Sequence, residues 1–227
     1  MPDGRAYTLQ PHKNRLYMAR KTKEQALETR NQIIEAAIHC FSTDGVSSTS
    51  LSDIATRAGV TRGAIYWHFK NKIDILNEIW LQCDAHLDEL EHKYQIQYPD
   101  DPLAQMKALL VTLLQLTVTD RSRRALMEII FHKCEFVGEM ETFQKIQQSL
   151  LLECYPKIEA SLHNCICQGQ LPPNLNTRQA AILMRSYISG LMENWLFTPA
   201  SFNLEKEAPD LVEAFIDMLR LSPALQK

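Results

Sequence analysis

Apolar positions recur every three to four residues along nearly the whole chain, and no stretch shows the period-two alternation of a half-buried strand. The pattern predicts an all-α fold of nine helices. The first spans 24–42, with Ile33, Ala37, Ile38 and Phe41 on one face and Gly45 beyond its end. The second opens at Ser50, which has capping-box spacing to Asp53, and stops at Gly59. The third takes Thr61 as N-cap and runs to about Phe69, and the fourth covers 72–97 until "YPDDP" breaks it. Five more are expected at 102–118, 121–136, 141–168, 177–197 and 205–220. The breakers between them are Thr119–Asp120, Gly138, "GQLPPN" and "TPASFN".

The helices divide the chain into a small head, 18–72, and a larger body, 73–227. Residues 1–17 hold two prolines and a glycine, and carry no apolar stretch of the kind a secretory signal needs. They are expected to form a mobile extension upstream of a natural start at Met18.

Within the head, "GVTRGAIYWHFKNK" (59–72) places four ring-bearing side chains in succession, with cations at Arg62, Lys70 and Lys72. Successive helical positions diverge by about 100°, so these rings cannot all face one core. Ile65 and Phe69, four apart, are expected inside with Leu51, Ile54 and Val60. The short link through Gly59 and Val60, with small Ala55 one turn earlier, lets the second and third helices cross closely as a helix-turn-helix (motif about 50–69). The outward residues then suit DNA. Arg62 can bond both acceptors of a guanine, Gly63 permits close backbone approach, and Tyr66 can meet a thymine methyl or a phosphate. Trp67, His68 and Lys72 offer donors to phosphate, and the helix starts at Ser50 and Thr61 add hydroxyls and amides.

Charge is split in the same way. Up to Lys72 there are 11 Lys+Arg against 6 Asp+Glu; the rest of the chain has 13 against 21, from totals of 24 and 27. A balance of +5 up to Lys72 on a body at −8 favours polyanion contact by the head alone, and argues against a protein that wraps DNA on all sides.

The stretch "TSLSDIATRAGVTRGAIYWHFKNKIDIL" resembles the DNA-binding domain of TetR-type transcriptional repressors. Further segments ("MARKTK", "ALETR", "LMEIIFHKCEFVGEM", "YISGLMENWLF") are similar to the repressors of multidrug efflux pumps within that family. The resemblance implies a homodimer with two heads in successive major grooves of a palindromic operator. It also implies a drug-sized, lipophilic ligand in each body that releases the DNA, and a cytoplasmic, nucleoid-bound place of action. Carried over by position, the DNA contacts fall on Ser50, Ser52, Thr61, Arg62, Gly63, Tyr66, Trp67, His68 and Lys72.

For the body, polar groups set in apolar helices mark a candidate ligand site: Trp80 and Asp84 one turn apart, Arg123 in a first turn where the helix dipole disfavours cations, and Gln147 among apolar neighbours. The two last helices are apolar over wide faces. They suit either capping of their own domain or a four-helix bundle with a second copy, and the resemblance favours the bundle, with Tyr187, Gly190, Leu191, Phe215 and Leu219 at the interface. An enzyme is not expected: there is one Glu-x-x-His (Glu89, His92), no phosphate loop and no nucleophile elbow. A metal-binding carboxylate protein is the alternative, resting on Glu128, His132 and Glu135 at i, i+4, i+7, but no second cluster supports it and no metal or cofactor is expected. The six cysteines lie at irregular spacings, mostly within apolar helical patterns, and read as free thiols.

Overall fold

The computed structural model describes residues 12–136 and 138–226. Among them are nine α-helices and no strand beyond an isolated Leu175–Gln226 bridge. The head contains α1 (His12–Asp44), α2 (Leu51–Ala58) and α3 (Arg62–His68); the body contains α4 (Lys72–Gln97), α5 (Pro102–Thr119), α6 (Arg121–Glu128), α7 (Glu141–Cys167), α8 (Thr177–Phe197) and α9 (Leu204–Leu221). Helix α1 begins within the expected extension, so the segment from His12 onward is helical and continuous with the head; the expectation for residues 1–11 lies outside the described residues.

The local signals explain the head. Ser50 accepts the Asp53 amide while Asp53 accepts the Ser50 amide, a closed capping box. Gly59 ends α2 at φ 67°, and its N–H reaches the carbonyls of Ala55 and Thr56. A side chain there would cost about 1–2 kcal/mol in backbone strain, which is why the turn takes glycine. Thr61 then caps α3 through the Ala64 amide. Ile33, Ala37 and Phe41 of α1 close over Ile54, Ile65 and Phe69, all at most 3% exposed.

In the body, α5 is central and packs against α4, α6, α7, α8 and α9. It is apolar and long enough to cross a membrane by length and composition, but here its neighbours are the other helices of the bundle. Pro209 inside α9 leaves the Glu205 carbonyl without its helical donor, and Gln115 of α5 supplies one at 3.2 Å. One expectation is corrected: α6 does not continue to 136. It ends at Glu128 and passes into a π-helical turn, Ile129–Lys133. The Lys133 carbonyl at the end of that turn accepts the Val46 amide from the head (3.1 Å), joining the head's first loop to the body.

Candidate nucleic-acid interface and ligand-binding body

Helix α3 sorts its residues as its spacing requires. Ile65 is fully buried and Phe69 nearly so, whereas Tyr66 is 53% and Trp67 73% exposed. Thr61, Arg62 and Gly63 are exposed at the start of the same helix. A methyl group added at Gly63 would meet little more than the Thr61 hydroxyl at 3.9 Å, so within the protein nothing excludes a side chain there. His68 is half-buried, and its imidazole lies edge-on to Trp67, with ring centroids 4.5 Å apart. Burial, and then the nearby Arg30 guanidinium, hold its pKa below the ordinary value.

Two expected contacts are already occupied. The Ser50 hydroxyl is committed to Asp53, donating to its carboxylate at 2.6 Å. The Lys72 ammonium donates to the carbonyls of Val46 (2.9 Å), Ser47 (3.3 Å) and Thr49 (3.5 Å). Lys72 thus binds down the loop between α1 and α2 rather than projecting as an unattached cation. Ser52 is half-buried on α2.

In the body, three of the four expected ligand residues carry a buried polar atom with no hydrogen-bond partner: Trp80 Nε1, Arg123 Nε and Gln147 Nε2. Buried polar groups are nearly always satisfied, so unpaired ones on three helices stand out. Asn77 Oδ1, one turn before Trp80, belongs to the same set and was not foreseen from the sequence.

Arg123 lines a crevice that the other three expected residues do not, however. Arg123, 9% exposed, lines a crevice of about 490 Å³ between α1, α4 and α6, beside Ile38, Ile79, Cys83 and His86. Trp80, Asp84 and Gln147 do not line it. On α4, positions 79, 82, 83 and 86 face this crevice, and Trp80 and Asp84 belong to the adjoining face. Burial pushes the Arg123 guanidinium below its usual range, while Cys83 and Asp120 act against that. Arg124, its neighbour, instead pairs with Glu128 (3.1 Å) and lies over the Trp195 ring. Asp84 belongs to an acidic side of α4: burial raises the pKa of Glu91, with Asp88 and Asp84 adding to the rise and Lys157 opposing it. The Asp84, Asp88, Glu91 spacing (i, i+4, i+7) is the sequence signal for this acidic side.

The carboxylate–histidine stripe dissolves in the structure. Glu128 is taken by Arg124, His132 packs against the rings of Phe131 and Phe197, and the intervening π turn shifts the register on which the stripe depended. Among the described residues, no three His, Cys, Asp or Glu side chains gather as metal ligands.

The expected interface residues also divide. Phe215 (1% exposed) and Leu219 (fully buried) are core residues of the protomer and have no surface to give a partner. Tyr187, whose ring stacks on Phe215 and whose hydroxyl donates to the Leu211 carbonyl, is half-buried, as are Gly190 and Leu191. The outward apolar side chains of α8 and α9 are Ile182, Leu183, Phe197, Met218 and Leu221.

Comparisons with known proteins cover both parts of the chain. Residues 33–79 match the family described as bacterial regulatory proteins, tetR family, and residues 101–221 match the C-terminal region of MAATS-type transcriptional repressors. The chain is 56% identical over 209 residues to the HTH-type transcriptional regulator AcrR of Shigella flexneri, covering 92% of this chain and 97% of that protein. It is 43% identical over 210 residues to the HTH-type transcriptional regulator TtgR of Pseudomonas putida, covering 92% and 100%. Among solved structures it superposes on NalD, the secondary repressor of the MexAB-OprM multidrug efflux pump in Pseudomonas aeruginosa, with a TM-score of 0.77 and 31% identity over 88% of this chain and 99% of that one.

Proposed function

Because the chain belongs to the TetR family of bacterial regulatory proteins, and is a transcriptional repressor rather than an enzyme, we propose that it represses a multidrug efflux operon as a ligand-released homodimer on a palindromic operator. The observation that carries the DNA half is the exposed face of α3: Arg62, Tyr66 and Trp67 outside, Ile65 and Phe69 inside. Arg62 reads base edges in the major groove; Thr61, Tyr66, Trp67 and His68 seat the helix on the phosphates. Lys72 and the Ser50 cap act mainly by shaping the loop and α2, whose helix N-terminus faces the backbone.

The ligand half rests on the unpaired Trp80 group beside the acidic side of α4, with Gln147 of α7 as a second unpaired donor. An indole face and a carboxylate favour a lipophilic cation, the former by its quadrupole and the latter by offsetting charge as water leaves. NalD, a repressor of a multidrug efflux pump to which the chain is 31% identical, supports the efflux assignment. The dimer forms through the outward faces of α8 and α9 around Gly190 and Leu191.

The direct test is selection of duplexes from a random pool by the full protein. An inverted repeat with half-sites about 10 base pairs apart, or a multiple of that, is expected. Arg62→Ala should cost about 1–3 kcal/mol on the selected site and flatten the preference at one position per half-site. Enrichment of no sequence, or equal losses on selected and random duplexes, rejects base reading by α3.

A further inference from the structure

Helix α3 is seven residues long, and within it only Ile65 is buried. So short a rod has little to fix its rotation against the rest of the head. Its C-cap residue, Phe69, is 3% exposed, and the Arg30 guanidinium of α1 lies over the Phe69 ring, 4.9 Å from the centroid. The same guanidinium grips Glu78 of α4: Nη2 donates to Oε2 at 2.7 Å, and Nη1 pairs with Oε1. One side chain rooted in α1 therefore touches the end of α3 and the second turn of α4. The pair keeps 31% and 22% side-chain exposure, so solvent screens it and its contribution is direction more than stability. A two-pronged bond to a carboxylate fixes the plane of the guanidinium, and here that plane is applied to the ring that anchors α3. The bond also raises the Arg30 pKa and lowers that of Glu78, so both stay charged.

We infer that Arg30 is a positioning residue for DNA reading: by clamping Phe69 to Glu78 it sets the angle at which α3 presents Arg62 and Tyr66, and ties that angle to α4. Glu78 precedes Trp80 by two residues on the same helix, so movement of α4 in the body reaches α3 through this joint. The inference rests on the proposed DNA-reading role of α3. It does not require that any ligand bind.

The test compares Arg30→Gln, Arg30→Lys, Glu78→Gln and the double variant Arg30→Gln/Glu78→Gln with wild type in the full protein. Affinity is measured by fluorescence anisotropy on the selected duplex and on a scrambled one, and amide hydrogen exchange of 62–69 is followed without DNA. Each single variant should lose about tenfold on the selected duplex and less than about twofold on the scrambled one. Arg30→Lys should behave like Arg30→Gln, because a lysine keeps the charge but not the fork. The double variant should be no worse than the weaker single, and exchange in α3 should quicken similarly in all four. Additive losses, or equal loss of Arg30→Gln on both duplexes with Glu78→Gln unaffected, would make Arg30 an ordinary phosphate contact and overturn the clamp. If wild type enriches no sequence, the reading of α3 fails, while unchanged exchange in the variants still rejects the clamp separately.

Discussion

At the residue scale, side-chain identity told where a group points more reliably than what it holds. Ile65 and Phe69 inside and Tyr66 and Trp67 outside follow from a 100° step, and the structure has them so. Lys72 was readable as a cation near DNA; that three loop carbonyls would claim its ammonium was not, because those acceptors are 23 to 26 positions away in sequence. His68 gives a prediction with a definite sign. Its folded pKa is lowered from 6.5, first by burial and then by Arg30. In the folded protein the imidazole therefore stays neutral where the unfolded chain already takes up a proton. Stability should fall as the pH drops through about 6.5 and approach a plateau below the folded value. The thermal midpoint of His68→Gln, followed from about pH 7.5 to 5, should fall less than that of wild type. A steeper fall would mean that His68 gains charge more readily in the folded state.

At the element scale, caps and breakers were legible and helix continuity was not. Ser50, Gly59, Thr61 and Asp120 each do what their residue type suggests. The periodic run after Arg121 gave no sign that α6 would pass into a π turn at Ile129, since apolar residues continue through it. That irregularity moved Glu128, His132 and Glu135 off a common face, and it places the Lys133 carbonyl against the head. Helix α4 carries the ligand prediction. Asp84→Asn should weaken binding of tetraphenylphosphonium about tenfold or more, and leave triphenylphosphine oxide, a neutral molecule of similar shape, within about twofold. Titration of tryptophan fluorescence in wild type and variant, each with Trp67 and Trp195 replaced by Phe so that Trp80 alone reports, checks this. Equal loss for both compounds would remove Asp84 as the charge partner.

At the scale of the whole molecule, the basic head and acidic body could be counted from the sequence, and the two-part architecture followed. For the interface the sequence offered two helices, α8 and α9, but not their outward side chains. Periodicity marks a helix face as apolar but does not distinguish the part that meets its own core from the part that meets a copy, so Phe215 and Leu219 were assigned outward and lie inward. Ile182 (40% exposed) and Met218 (36% exposed) are the better probes. Ile182→Glu/Met218→Glu should give a folded monomer by sedimentation, with helical signal retained and much weaker operator binding; an intact dimer would place the interface elsewhere.

Ligand and operator must act on each other if a body ligand releases the head, because coupling between two binding sites is reciprocal. Saturating tetraphenylphosphonium should weaken binding of the selected duplex by about 5- to 150-fold, and saturating duplex should weaken binding of the cation by the same factor. Both are measured by anisotropy and tryptophan quenching on one preparation of the full protein. Two equal factors in that range are the expected result. A factor near one, with the cation bound and the duplex undisturbed, would contradict release by a body ligand of this class.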